Sequence, residues 1–311
     1  MEKAIGRGYG KLILFGEHFV VYGLPGIATG LDKYFEVEME KIDGNDIIIE
    51  DNVYFNETIK CSEETEHPKT LTIKPFVDNF KISGVKIIFG GNIARKGMGL
   101  SAAYAVATIR AANELFKLNL SNEEVNFWAY ESEKYSHGTP SGIDNTCATY
   151  GQPIWFEKNM SGGKNKIELF KIKMPLLLVI GDTGIKASTS EVVAGVRKRK
   201  EENEDEYKEF FEDEITLLNE AKQALECGDI KMVGELMNNN QVLLRDIGVS
   251  CDELEDLIEI SLENGALGAK ISGAGAGGIM IALAENKEAQ EEIAKAMEEK
   301  GYKATKTIIG K

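Results

Sequence analysis

Apolar and polar positions alternate through much of the first hundred residues, and the alternation predicts strands. In "FEVEMEKI", residues 35–42, apolar and charged side chains change places at every step, as on a half-exposed strand. "KLILFGEHFVVYG" is an apolar run, a glycine turn and a second apolar run. "NDIIIEDNVYFN" and "GVKIIFGG" read as further short strands with turn residues at their ends. The period then changes. Across residues 101–118, Val106, Ile109, Ala112 and Phe116 recur at steps of three and four, one face of a helix. In "SNEEVNFWAYESEKY", Ser121 and Glu124 have capping-box spacing, and Val125, Trp128, Ala129 and Ser132 form a stripe with Glu133 at its edge.

Residues 136–157 read as a turn-rich segment that ends in a strand, and 174–181, "MPLLLVIG", as a buried strand opening a second domain. Helical spacing dominates 188–248. The basic run Arg197–Lys200, followed by a run of acids, reads as a solvated helix face with weak i,i+4 pairs. A helix over 252–264 leads into "GALGAKISGAGAGGIMIALAE", a strand, a glycine-rich turn and a second strand. A helix (286–299) and a strand (302–309) follow. These elements predict an α+β chain with antiparallel sheet and helices in both halves.

The 311 residues allow one large or two medium domains. A net charge of −15 repels a polyanion, which argues against general nucleic-acid binding, while a local site can still take a small phosphorylated ligand. The four cysteines (Cys61, Cys147, Cys227, Cys251) are widely spaced with no C-x-x-C pair, as in a reduced, cytoplasmic protein. Neither a secretory signal nor a membrane span is expected, and the three histidines lack zinc-motif spacing.

Three segments carry candidate chemistry. In residues 90–101, glycines punctuate a loop that enters an alanine-rich helix at Ser101. A helix start offers unpaired N–H groups and a dipole that favours an anion, and a hydroxyl there is a Mg²⁺ ligand candidate. The run is not G-x-x-x-x-G-K-[ST], and by itself it reads equally as a tight turn with an N-cap. In "HGTPSGIDN", residues 137–145, Asp144 follows a Pro-Ser-Gly turn. It is expected on a constrained loop, either as a proton acceptor for a substrate hydroxyl or as a simple Asx-turn residue. Ser141 and His137 raise a Ser/His hydrolase, but no G-x-S-x-G elbow surrounds the serine. In "KISGAGAGG", residues 270–278, bare backbone between two strands suits either close ligand approach or a bulged hairpin. Lys11 and Glu17 flank the first apolar run, where Lys11 is either a partly buried cation aimed into a cleft or an ordinary surface lysine.

Taken in order along the whole chain, "GKLILFGEHFVVYG", "GMGLSAA", "HGTPSGIDN" and "KISGAGAGG" resemble the GHMP kinase family. Within it, "GEHFVVYG" and "ESEKYSHGTPSGIDN" are most similar to the branch that phosphorylates mevalonate. The resemblance implies a two-domain fold with mixed and antiparallel sheets and the active site between the domains. The nucleotide-binding part would span 1–172 and the C-terminal part 173–311. It implies ATP bound along Gly97, Met98, Gly99, Leu100, Ser101, Ala102 and Ala103, and Mg²⁺ held by Ser101 and Glu133. Asp144 would be the base or the anchor of the substrate hydroxyl, with Lys11 beside it. Glu17, His18, Thr189, Gly273, Ala274 and Gly275 would line the substrate side, with the loop as far as Gly278 steadying phosphate and substrate. The implied reaction is transfer of phosphate from ATP to the 5-hydroxyl of mevalonate, in the cytoplasm, with a homodimer allowed by analogy.

One departure stands out. The family run is Gly-Leu-Gly-Ser-Ser-Ala, and here Gly97-Met98-Gly99-Leu100-Ser101-Ala102 has Leu100 for the first serine and lacks the usual upstream proline. A hydroxyl contact is lost at position 100, whereas main-chain contacts survive the exchange. Two other readings remain open: a related kinase of phosphomevalonate or a sugar, and a non-catalytic ligand-binding protein on the same scaffold. No Lys/Arg cluster near Glu17–Gly23 suggests a site for a substrate phosphate.

Overall fold

A computed structural model describes residues 2–93, 97–137 and 140–310, without the side chains of 136 and 137. Gly138, Thr139 and the His137 side chain of the "HGTPSGIDN" motif, and residues 94–96 of the 90–101 loop, therefore lie outside the described residues. The chain forms two compact units, Met1–Lys11 with Gly30–Gly151, and Leu12–Thr29 with Gln152–Lys311. Two long strands, β1 (Lys3–Phe15) and β2 (Pro25–Lys41), each have one end in either unit.

The first unit adds β3 (Ile47–Asp51), β4 (Glu57–Lys60), α1 (Pro68–Phe80), β5 (Val85–Gly91), α2 (Leu100–Phe116), α3 (Asn122–His137) and α4 (Ile143–Tyr150). Its strands are ordered β4-β3-β5-β2, with β3 parallel to β5 and the other pairs antiparallel. The alternation read at 35–42 is real: Phe35, Val37 and Met39 on β2 are at most 1% exposed, and Val37 lies opposite Phe89 of β5. The small residues of α2 have a packing role. A Cβ at Gly6 would meet the Ala107 carbonyl at 2.0 Å, and one at Gly8 the Ala103 carbonyl at 2.1 Å, so glycines on β1 let the strand lie directly on the alanine face of α2. The capping box is also formed: the Ser121 amide donates to Glu124 Oε2 at 2.8 Å, and the Glu124 amide to Ser121 Oγ at 3.2 Å.

Two expectations need correction here. Residues 143–150, read as turn-rich, form α4. Gly142 caps it at φ 96, and Thr146 Oγ1 donates back to the Gly142 carbonyl at 2.7 Å. Asp144 is thus in the first turn of a helix rather than on a loop. In addition, α1 falls in a stretch with no predicted element. It starts at Pro68, where the missing N–H costs nothing, and carries Pro75 inside.

The second unit holds the start of β2, which pairs with β6 (Ile154–Glu157), itself paired with β7 (Lys166–Leu169). It continues with β8 (Leu176–Asp182), α5 (Thr189–Glu202), α6 (Glu204–Cys227), α7 (Ile230–Asp246), α8 (Asp252–Glu263), β9 (Ala266–Ser272), β10 (Ile279–Ala284), α9 (Lys287–Glu299) and β11 (Lys303–Ile309). An antiparallel sheet of order β11-β8-β10-β9 is covered by α7 and α8 on β9 and by α9 on β8 and β11. Its inner strand β10 is buried along its whole length, as its unbroken apolar run requires. The basic run of α5 is not simply a solvated face. Arg199 donates to the Ile247 and Gly248 carbonyls at 3.0 and 3.1 Å and so satisfies acceptors at the end of α7. Both units together make the chain a mixed α+β protein, as its patterning predicts.

Candidate active site

In the first unit the site is built on β1, the start of α2, α3 and the start of α4. β1 carries Lys11, whose amide donates to the Met98 carbonyl at 2.9 Å and so ties the loop before α2 to the strand. Lys11 Nζ lies 3.1 Å from Asp144 Oδ1; the side chains are 12% and 37% exposed. The first turn of α4 suits a carboxylate, because the helix dipole adds to the attraction of the ammonium. One turn further on, Cys147 is fully buried, and burial first, then the Asp144 charge, push its thiol far up, so it stays protonated.

Gly99 sits between these groups and the helix start. Its φ of +68 is in the left-handed region, and a Cβ there would be 2.9 Å from Lys11 Cγ and 3.8 Å from Asp144 Cβ. The loop before Ser101 and the Asp144 carboxylate therefore face one place. Ser101 Oγ donates to Glu133 Oε1 at 2.8 Å, and Glu133 is 5% exposed, so the carboxylate at the edge of the α3 stripe is turned inward to α2. Helix geometry leaves the first-turn amides of Leu100, Ser101 and Ala102 without intrahelical acceptors. The Ala103 amide is already spent on the Gly99 carbonyl at 3.0 Å. The side chains of Met98, Ala102 and Ala103 are buried, and only Gly97 of this run is exposed.

A hydroxyl and one carboxylate make a donor set suited to Mg²⁺, which takes one or two protein oxygens and fills the rest of its shell with phosphate and water. Among the described residues no group of three or more His, Cys, Asp or Glu is arranged as a metal cluster.

In the second unit the turn after β1 and the loop between β9 and β10 are tied together. Ser272 Oγ donates to the Ile13 carbonyl at 2.9 Å. Lys270 Nζ lies 2.5 Å from Glu17 Oε1, with both side chains fully buried, and also donates to the Ile271 carbonyl at 2.6 Å. His18 Nε2 lies 2.7 Å from the Ala274 carbonyl, which fixes the proton on Nε2 and leaves Nδ1 as an acceptor. That Nδ1 is buried and has no hydrogen-bond partner among the described residues. Burial, the largest effect, and the Arg199 charge hold His18 below the usual imidazole value, against the raising effect of the Ala274 bond. The ring is therefore neutral at pH 7.

Past Ser272 the loop runs through left-handed backbone at Gly273, Gly275, Ala276, Gly277 and Gly278, and a Cβ on Gly273 would meet nothing within 4 Å. Two of the predicted segments, Glu17 with His18 and the loop at Gly273–Gly275, thus converge. Among the described residues no hydrogen bond joins Thr189 to them: it is exposed in the first turn of α5, after the N-cap Ser188. Sequence reasoning gave Lys270 and Glu214 no role. A signal was present, since a lysine inside a strand that is otherwise apolar has to be paired.

The sequence relationships agree with this layout. Residues 67–152 match the model of the GHMP kinases N terminal domain, and residues 221–303 that of GHMP kinases C terminal. A mevalonate kinase of Pyrococcus furiosus is 37% identical over 95% of this chain and 92% of its own length. The chain belongs to the GHMP kinases. Among solved structures, this GHMP kinase is similar to the mevalonate kinase of L. major in complex with R-mevalonate, with a TM-score of 0.89 and 36% identity over 99% of this chain and 96% of that one. It is also similar to the Methanococcus jannaschii mevalonate kinase, with a TM-score of 0.85 and 26% identity over 99% and 98% of the two chains.

Proposed function

We propose that this GHMP kinase transfers the γ-phosphoryl group of ATP to the 5-hydroxyl of mevalonate, releasing ADP and 5-phosphomevalonate in isoprenoid precursor synthesis. The observation that carries the substrate is near-full-length similarity to proteins named mevalonate kinase, one of them solved with R-mevalonate at 36% identity.

Phosphoryl transfer asks a protein to align donor and acceptor and to neutralise oxygen charge, so a site with few arginines suffices. Asp144 accepts the proton of the attacking hydroxyl or orients it, and the Lys11 ammonium favours both the ionised carboxylate and the developing alkoxide. The amides of Leu100, Ser101 and Ala102, with Gly97 and Gly99 permitting close approach, cradle the triphosphate at the N-terminus of α2. Leu100 supports this through its main chain alone. Ser101 and Glu133 would hold Mg²⁺, which when bound would neutralise charge on the phosphate oxygens. On the acceptor side, His18 Nδ1 takes a hydrogen bond from a mevalonate hydroxyl. Glu17, Thr189, Gly273, Ala274 and Gly275 complete that side. The same reading divides the chain into a nucleotide-binding part, 1–172, and a C-terminal part, 173–311. It also puts the protein in the cytoplasm and allows a homodimer.

The test is ADP release measured in parallel with mevalonate, phosphomevalonate and galactose. Turnover with mevalonate alone is expected. Turnover with only one of the others moves the reaction to that alcohol, and nucleotide binding without turnover of any makes the chain a binding scaffold.

A further inference from the structure

Glu214, on α6, is fully buried and belongs to none of the motifs. Asn240 Nδ2 of α7 donates to its Oε2 at 2.6 Å, and its Oε1 has no hydrogen-bond partner among the described residues. The charged groups that face it are Glu17, from the turn after β1, and Lys270, from β9; α7 brings the neutral Asn240. Two carboxylates therefore share the neighbourhood of one ammonium in a site closed to water. Lys270 is already committed to Glu17 and to the Ile271 carbonyl. A second carboxylate charge would be uncompensated there, and such a charge is costly enough for a buried group to keep its proton instead.

We propose that Glu214 is a positioning residue for the acceptor side: kept protonated, it fills the space beside the Glu17–Lys270 pair without drawing the ammonium away, and so holds the Gly16–His18 turn against the loop at Gly273–Gly275. The inference rests on the reading of His18 as an acceptor-side residue. Burial first and the Glu17 charge second push the Glu214 carboxyl up to about 8, against the opposing pull of Lys270, the Asn240 amide and the Gly16 main chain. Below that pH the triad carries one carboxylate beside the Lys270 ammonium, which burial pulls below its ordinary value against the raising effect of Glu17 and Glu214. Above it, two carboxylates compete for Lys270, and the tie to Glu17 loosens.

The experiment follows the ¹H–¹⁵N signal of the His18 imidazole in the ligand-free protein, assigned by its loss in His18→Asn. Wild type is expected to show an inflection near the Glu214 value of about 8, where His18 itself does not titrate, and Glu214→Gln none above neutrality. In parallel, the KM for mevalonate in wild type is expected to rise at least about fivefold between pH ~7 and ~9 with a smaller change in kcat, and to stay level in Glu214→Gln. A wild-type His18 signal without that inflection overturns the proposal whether or not the variant folds. So does an identical pH response of wild type and Glu214→Gln. Failure of wild type to phosphorylate mevalonate overturns the proposed function instead, and the His18 signal still decides the part played by Glu214.

Discussion

The ammonium of Lys11 on β1 lies 3.1 Å from Asp144 Oδ1 in the first turn of α4, with Gly99 packed against both side chains. Asp144→Ala removes the group assigned to the hydroxyl proton and is expected to lower kcat by roughly 10²–10⁴-fold. Asp144 is 37% exposed, so the thermal midpoint should change little. Steady-state kinetics beside a melting curve check both halves.

Gly99→Ala separates two accounts of the glycine loop. On sequence alone a side chain at position 99 intrudes on a phosphate. In the structure its Cβ lies 2.9 Å from Lys11 Cγ at a φ of +68. The strained backbone costs about 1–3 kcal/mol, read from urea unfolding. A loss in kcat larger than the loss in ATP affinity is expected, because Lys11 is the group displaced.

Ser101→Ala removes the hydroxyl that donates to Glu133. The Mg²⁺ concentration needed for half-maximal rate should rise on the order of tenfold, the usual effect of losing a group that holds or orients a metal ligand. A Mg²⁺ titration at saturating ATP measures it, and an unchanged midpoint removes Ser101 from the metal site.

The pH dependence on the acid side follows from His18. Its folded value lies below the ordinary 6.5, so the unfolded chain takes up the proton first. The stabilisation from the neutral ring is present above about 6.5 and is lost as pH falls from there toward the folded value. On the acid limb, separate from the rise that Glu214 causes above neutrality, the KM for mevalonate should accordingly begin to rise below pH ~6.5. His18→Asn tolerates the φ of 64 at this position but lacks the imidazole, and should raise KM at every pH without that inflection. Mevalonate saturation curves across the pH range test this.

Much of the fold was legible because local chemistry and tertiary packing agree. Ser121 and Glu124 cap α3 as their spacing requires, and Phe35, Val37 and Met39 face inward as alternation requires. The element missed at α1 carries two prolines, which read as breaks until the first is seen at the helix start. In α4 a short helix follows glycine, proline and serine, and eight residues give too little period to detect. In the candidate site, Lys11, Ser101, Glu133 and Asp144 stood out by motif, and their mutual contacts follow from the structure. The apolar strand around Lys270 signals that the lysine is paired, but the partner, Glu17, was hidden because 253 positions separate the two. Glu214 was hidden more deeply. It lies in an acidic helix whose other carboxylates are mostly exposed, and only the packing of α6 and α7 distinguishes it.

The central claim is tested most directly by ³¹P NMR of the purified protein with Mg²⁺, ATP and R-mevalonate. The account predicts one new phosphomonoester signal, coupled to the methylene protons at C5 of mevalonate and growing in step with ADP. ADP that accumulates at the same rate with and without mevalonate, or phosphate found on a different oxygen, would contradict it.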